Sequence, residues 1–521
     1  MGPVSTEPWW KSAVVYQIYP RSFADTNGDG VGDLAGVRAH LEHLVWLGVD
    51  AIWLSPFYRS PMADFGYDVA DHCDVDPVFG TLDDFDALVA DAHASGIKVI
   101  VDWVPNHTSD HHRWFVESRQ GRTSAKRDWY VWRDPAPDGG PPNNWVAAFA
   151  PEPAWTYDEA SGQYYLHCFL PEQPDLDWSN PEVEAAMHDV LRFWLDRGVD
   201  GFRMDVTHLI GKDPELADDP PEYLPIPHSA LNDRPETHPL LRRIRTLLDA
   251  YPGDRMIVGE VYLLDTALVA PYYGDDDELH LSFNFPPLFT PWDATQWRAQ
   301  IDKTVAELEP LSAWPTWVLS NHDNPRHRTR YDGDEGRARA AAVLLLGLRG
   351  TPFLYAGEEL GLLDAEVPAD RVVDPGGRDG CRAPIPWEPT LGHGWPGEPW
   401  LPFAPEAQTR SVADEKADPH SILHLYRRLL AARRGSEALQ LGAQHMLAAP
   451  EGVVAWTRQT PAGDRRVVVV NFTDAVVRLE GTEALAASAH TTIEVASDGL
   501  GEGAAFTGAL APDQAVVLRP G

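Results

Sequence analysis

Gly201-Phe202-Arg203-Met204-Asp205-Val206-Thr207-His208 is the stretch that decides how the chain is read. It follows an amphipathic helical segment, 183–197, and the turn Gly198-Val199-Asp200. Alternation gives a short strand with Phe202, Met204 and Val206 on one side and Arg203, Asp205 and Thr207 on the other. A carboxylate and an arginine together on the inward face of a strand are costly to bury unless they pair or do chemistry. An ion pair plugging a core would explain one Arg-x-Asp. Three further strand-like runs, 97–102, 256–260 and 317–323, end in Asp102, Glu260 and Asp323. Four strands delivering carboxylates to one end of a sheet point to a functional site instead.

Outward from there, strand-like runs at 14–19, 51–54, 279–283, 316–319 and 351–355 alternate with helical segments. Together they make eight strand–helix units over roughly 400 residues, which predicts an α/β fold, a (β/α)8 TIM barrel. A doubly wound open sheet is the alternative, but no Gly-rich phosphate loop follows the first strand. The alternation stops over 108–173, a Trp-, Pro- and Gly-rich stretch read as an insertion domain after the third strand. The barrel is therefore assigned to 1–107 and 174–434. Strand patterns at 453–458, 466–472, 491–495 and 515–518 assign 435–521 to a C-terminal all-β domain, a β-sandwich.

A net charge of −37 argues against nucleic acid, anionic membranes and polyanionic substrates. A neutral or cationic small molecule fits better. Cys73, Cys168 and Cys381 are too few and too scattered for a disulfide framework or a metal pattern. No apolar leader or membrane-length run is visible, so the expectation is a cytoplasmic protein, monomeric or a small homo-oligomer, with no membrane or nucleic-acid partner.

In Asp25-Thr26-Asn27-Gly28-Asp29-Gly30-Val31-Gly32-Asp33, oxygen side chains fall at alternate positions, Asp25, Asn27, Asp29 and Asp33, with the Val31 carbonyl between them. Interleaved glycines permit the tight curl that turns such oxygens inward around a structural divalent cation. A plain polar turn is the alternative.

Four segments, Asp102-Trp-Val-Pro-Asn-His107, Gly201-Phe-Arg203-Met-Asp205, Gly259-Glu260-Val-Tyr and Ser320-Asn-His322-Asp323, resemble in order and spacing the signature regions of glycoside hydrolase family 13. Gln173-Pro-Asp-Leu-Asp-Trp resembles the extra region of its oligo-1,6-glucosidase and α-glucosidase members. The resemblance covers the whole chain. It implies that Asp205 is the nucleophile, Glu260 the general acid/base and Asp323 the third carboxylate. It further implies that Asp64, Tyr67, Asp102, His107, Phe169, Arg203, His322 and Arg382 line the sugar site. The 25–33 loop resembles the family's calcium site, with Mg2+ as the other ion to consider, and no organic cofactor is implied.

An oxocarbenium-like transition state needs one carboxylate to attack and a second acid to protonate the leaving oxygen. Arg203 is expected to hold Asp205 ionised, and neighbouring acids to raise Glu260. The resulting expectation is a retaining, exo-acting α-glucosidase that removes terminal glucose from short oligosaccharides of the maltose type. Isomaltose-type (α-1,6) activity is close behind: Val206 resembles the oligo-1,6-glucosidase branch, but Thr207-His208-Leu209-Ile210 departs from that branch's continuation, so the rule is not carried over. A glucosyl-transferring or isomerising enzyme, such as a trehalose or isomaltulose synthase, would use the same residues.

Overall fold

All eight runs become strands of one parallel sheet in the computed structural model, which describes residues 7–149, 152–220 and 232–520. They are β1 (Val15–Ile18), β2 (Ala51–Leu54), β3 (Lys98–Trp103), β4 (Gly201–Met204), β5 (Met256–Gly259), β6 (Leu281–Ser282), β7 (Thr316–Val318) and β8 (Thr351–Tyr355). The order β6-β5-β4-β3-β2-β1-β8-β7 curls into a nearly closed barrel. β6 and β7 are the two edges of that order. The Thr316 hydroxyl spans the gap between them, donating to the Ser282 carbonyl (2.8 Å) and accepting from the Asn284 amide (3.0 Å).

Both faces of the strands are buried, which is why they read as near-continuous apolar runs. Val15, Trp53, Ile100, Val258 and Phe353 fill the barrel. Tyr16, Ile52, Val101, Phe202 and Met204 face the surrounding helices instead. Among these, Pro181–Asp196 starts on an Asn180 side chain that accepts the Glu182 amide proton and buries Met187, Leu191 and Trp194. Asp102 and Arg203 are register partners on β3 and β4, so acid and base sit side by side on the inner face.

One local expectation fails. β4 ends at Met204; Val206 takes φ +34° and begins a 3-10 turn, Thr207–Leu209. Val206 therefore leaves the outer face it was assigned. After the 25–33 loop, two short helices, Leu34–Ala39 and Leu41–Leu47, meet at His40, whose ring lies 3.6 Å from that of Trp387 and whose Nδ1 meets the Gly36 carbonyl at 2.8 Å.

Within 108–173, the strands Trp132–Arg133, Trp155–Asp158 and Gln163–Leu166 form an antiparallel sheet. Beyond the barrel come β9 (Ala443–Leu447), β10 (Val453–Gln459), β11 (Arg465–Asn471), β12 (Thr491–Ala496) and β13 (Ala515–Pro520), an antiparallel sheet in the order β9-β10-β11-β13-β12. Trp456, Val468 and Val517 on one face join the main core. Val467, Val469 and Val516 on the other pack with Leu479 and Leu510 of a two-stranded ribbon.

Two buried guanidiniums join this sheet to the barrel. Arg458 donates to the carbonyls of Gly347 (3.0 Å) and Gly442 (3.1 Å), and Arg433 to those of Leu346, Leu439 and Gly350. Leu346 and Gly347 end the helix Glu335–Gly347, where carbonyls lack helical partners and a cation is favoured. Among the described residues, no helix is long and apolar enough to cross a membrane, and all three cysteines are free.

Candidate active site

Residues following the C-terminal ends of the barrel strands converge there, the rim where such barrels carry their chemistry. Arg203, 2% exposed, is the hub. Its Nη1 donates to Asp102 Oδ1 (2.9 Å) and Asp205 Oδ1 (2.6 Å), and its Nη2 to Glu260 Oε2 (2.5 Å). The Val206 amide donates to the same Glu260 oxygen (3.0 Å), so the left-handed turn after Asp205 binds the third acid. Gly259 lets that turn close, since a Cβ there would lie 2.9 Å from Thr207 Oγ1 and 2.4 Å from Leu279 Cδ1. Asp102 also accepts from Trp53 Nε1 and the Tyr67 hydroxyl, both at 3.2 Å.

Three carboxyls around one cation cannot all ionise at ordinary cost. Burial raises Asp205 well above the usual carboxylate range; Arg203 opposes this, while Glu260 and Asp102 add to it. Burial likewise lifts Asp102 to about 6 against Arg203. Arg203 does pull Asp205 toward its ionised form, but burial opposes it and the guanidinium is divided among three acids. Glu260 is close enough to hydrogen-bond Asp205 directly. A proton held in such a cluster belongs to the pair rather than to one residue.

Asp323 behaves in the opposite way. Its Oδ1 accepts from Arg378 Nη1 (3.0 Å) and Arg382 Nη2 (3.3 Å). Burial pushes this carboxyl up, but the surrounding cations outweigh it and hold it well below the usual range. His322, pushed down to about 3 by burial, is neutral at pH 7, so the arginines carry the effect. Its ring stacks on Tyr67 (5.5 Å, 9°) and is held from behind by Gln17 Nε2 at 2.7 Å from Nδ1.

A cavity of about 660 Å³ opens above these groups. Asp64, Tyr67, His107, Phe169, Asp205, Glu260 and Asp323 line it. Asp102, Arg203, His322 and Arg382 do not reach its surface; they are at most 2% exposed and lie beneath it. Arg378, which the sequence reading passed over, faces the cavity and bridges Asp64 Oδ1 (2.6 Å) to Asp323, itself braced by Asp374. It stands four residues before Arg382 in the same segment. The 3-10 turn Asp379–Arg382 turns Arg382 inward.

Behind the wall lies a second cluster the sequence reading missed. Lys212 Nζ, 8% exposed at the side chain, pairs with the fully buried Asp175 Oδ2 (2.8 Å) and donates to Asn106 Oδ1 (2.6 Å). Asp175 also accepts from the Cys168 amide (2.9 Å) and thiol (2.7 Å). The cluster ties the Phe169 wall to the turn carrying Asp205. Lys212→Met leaves Asp175 uncompensated and is expected to destabilise the fold by about 3–5 kcal/mol, measured by urea unfolding.

The 25–33 loop curls as expected. Gly28 and Gly30 adopt φ +86° and +85°. Asp25 accepts the amides of Asn27, Gly28 and Gly30, Asn27 that of Asp29, and Asp29 that of Val31. Asp33 accepts from Thr26 and caps the next helix through Gly36. The alternating donors are all hard oxygens and keep free lone pairs, which fits a hard cation. Among the described residues no three His, Cys, Asp or Glu side chains gather as a metal cage, Asp25, Asp29 and Asp33 included.

Paired carboxyls on a shared arginine, at the mouth of a parallel barrel and under a small cavity, define a glycoside hydrolase. The chain belongs to the alpha-amylase family, glycoside hydrolase family 13; residues 17–442 match the alpha amylase catalytic domain. It is 45% identical to a probable alpha-glucosidase of Rhizobium meliloti (strain 1021), over 83% of this chain and 84% of that one. It is 37% identical to an oligo-1,6-glucosidase of Parageobacillus thermoglucosidasius, over 89% and 91%. It also superposes on the crystal structure of the alpha-glucosyl transfer enzyme XgtA with TM-score 0.91 and 41% identity, covering 99% and 100%.

Proposed function

We propose that the protein is a retaining, exo-acting α-glucosidase that releases terminal glucose from short maltose-type oligosaccharides. The observation that carries this is the sharing of one guanidinium by Asp205 and Glu260, opposite a cavity end barred by the Asp64–Arg378–Asp323 bridge. Two carboxyls held by one guanidinium are close-set, as a retaining pair about 5–5.5 Å apart requires, whereas an inverting pair stands about 6.5–9.5 Å apart to admit a water. The arginine bridge stops a sugar chain from running through, so only a terminal unit enters.

Asp205 attacks the anomeric carbon as Glu260 gives its proton to the leaving oxygen; Glu260 then deprotonates the water that cleaves the ester. Asp323, kept anionic, stabilises the distorted ring, and Arg378 takes the role first given to Arg382, orienting the terminal glucose with Asp64. Incubation with maltose, isomaltose, sucrose and trehalose tests the reading. Glucose from maltose outpacing glucose from isomaltose supports it, faster isomaltose cleavage moves it to the α-1,6 class, and a new disaccharide in place of glucose overturns it.

Asp25, Asn27, Asp29, Asp33 and the Val31 carbonyl would hold Ca2+, or Mg2+ less well, as a structural ion with no part in the reaction. Chelation is expected to lower Tm by about 2–5 °C, restored by Ca2+ in preference to Mg2+, with kcat at 25 °C little changed. Three unpaired cysteines support a cytoplasmic location.

A further inference from the structure

Asp64 and Tyr67 line the cavity, and Phe65, between them, does not. The Tyr67 amide donates to the Asp64 carbonyl (3.1 Å), closing a four-residue turn whose central pair takes φ +45° at Phe65 and +112° at Gly66. Positive φ at both central residues is the pattern of a type I′ turn, whose usual pair is Asn-Gly. Glycine adopts it freely; a bulky aromatic does not. Such strain beside a functional group persists only where its surroundings enforce it. Met62, three residues earlier, is also held at positive φ (+68°).

One guanidinium reaches both strained residues. Arg21, 9% exposed, lies 5.2 Å from the Phe65 ring and 4.7 Å from that of Trp400, and its Nη1 donates to Met62 Sδ (3.7 Å). The rings of Phe65 and Trp400 are themselves 5.2 Å apart. Arg21 Nε is buried without an acceptor among the described residues, so aromatic faces hold this cation in place. Trp400 is pinned in turn. Its amide donates to the Gly30 carbonyl (2.9 Å) and its Nε1 to the hydroxyl of Ser22 (3.1 Å), the residue after Arg21. Asp68 accepts the amides of Ala63 and Asp64 and fixes the limb entering the turn; the Arg21–Trp400 stack holds its crest. We propose that Arg21 and Trp400 are positioning residues: by clasping Phe65 they enforce the left-handed turn, and so set Asp64 against Arg378 for the terminal sugar. Their role rests on the one proposed above for Asp64 and Arg378.

A double-mutant cycle tests this. Trp400→Leu is expected to raise KM for maltose, and Kd for glucose by titration calorimetry, about five- to thirtyfold, with kcat within about threefold of the parent. Trp400→Phe, which keeps an aromatic face, should recover most of the affinity. Phe65→Asn restores the pair that a type I′ turn takes without strain and should keep Kd within about threefold of the parent. In that background Trp400→Leu should cost less than about twofold, since no strained residue is left to hold. Where Trp400→Leu does not fold, Arg21→Lys, which keeps the charge and loses the flat face, runs the same cycle. Equal losses of glucose affinity in both backgrounds, or none in either, overturn the proposal. Calorimetry needs no turnover, so a parent that binds glucose and cleaves no α-glucoside overturns the proposed function alone. A parent that binds no glucose overturns both.

Discussion

Asp205→Asn is expected to lower kcat/KM on maltose by about 10⁴-fold or more, because an amide cannot form the glycosyl ester and the rest of the site has no substitute for it. Arg203 keeps two of its three carboxyl partners, Asp102 and Glu260, so the hub survives the substitution. Burial raises the folded-state pKa of Asp205 above its unfolded value, so its ionisation costs stability at any pH above the unfolded value. The amide removes that cost. The variant should therefore melt at or above the parent temperature at pH 7.5, with the difference closing as pH falls toward 4, where the unfolded carboxyl is itself protonated. Melting curves at the two pH values and a maltose assay check both halves; an active variant, or one destabilised at pH 7.5 and not at pH 4, removes Asp205 from its role.

Glu260→Gln is expected to lower kcat on maltose by about 10²–10⁴, the range for losing a general acid. An activated donor, whose leaving group needs no proton, separates the two steps. With 2,4-dinitrophenyl α-glucoside the variant should show a burst of phenol followed by a slow phase, since only release from the ester still needs a base. Azide, which needs none, should restore turnover and give α-glucosyl azide. Equal losses on both donors, with no burst and no azide effect, would assign the proton to another group.

The barrel and its acids were legible from sequence because both depend on short-range pattern. Strands buried on two faces advertise themselves as apolar runs, and the acids ending four of those runs could be counted before any contact was known. What escaped was set by groups distant in sequence. Whether Arg203 ionises Asp205 depends on how many carboxyls share it, and these come from β3, the turn after β4 and the end of β5. Arg378 and Arg382 look alike along the chain; only packing against Asp374 and His322 separates them. Lys212 followed the nucleophile in plain view, but its partners Asp175 and Asn106 lie on other segments. The left-handed Val206 ran against residue preference, since β-branched side chains rarely adopt positive φ. The Glu260 contact to its amide is what that conformation obtains.

Arg433 and Arg458 give the molecule a seam that cannot be unpicked from one side. Each donates only to main-chain carbonyls, and those carbonyls come from both the end of the helix before β8 and the segment leading into the terminal sheet. Cutting the chain near residue 435 would strip the helix end of Arg458 and leave Arg433 without Leu439, burying polar groups with nothing to bind. The terminal sheet is therefore not a module to be shed or exchanged among barrels. Catalysis at one end of the protein inherits its thermal endurance from the other, and heating should register a single cooperative transition, not the early loss of a tail.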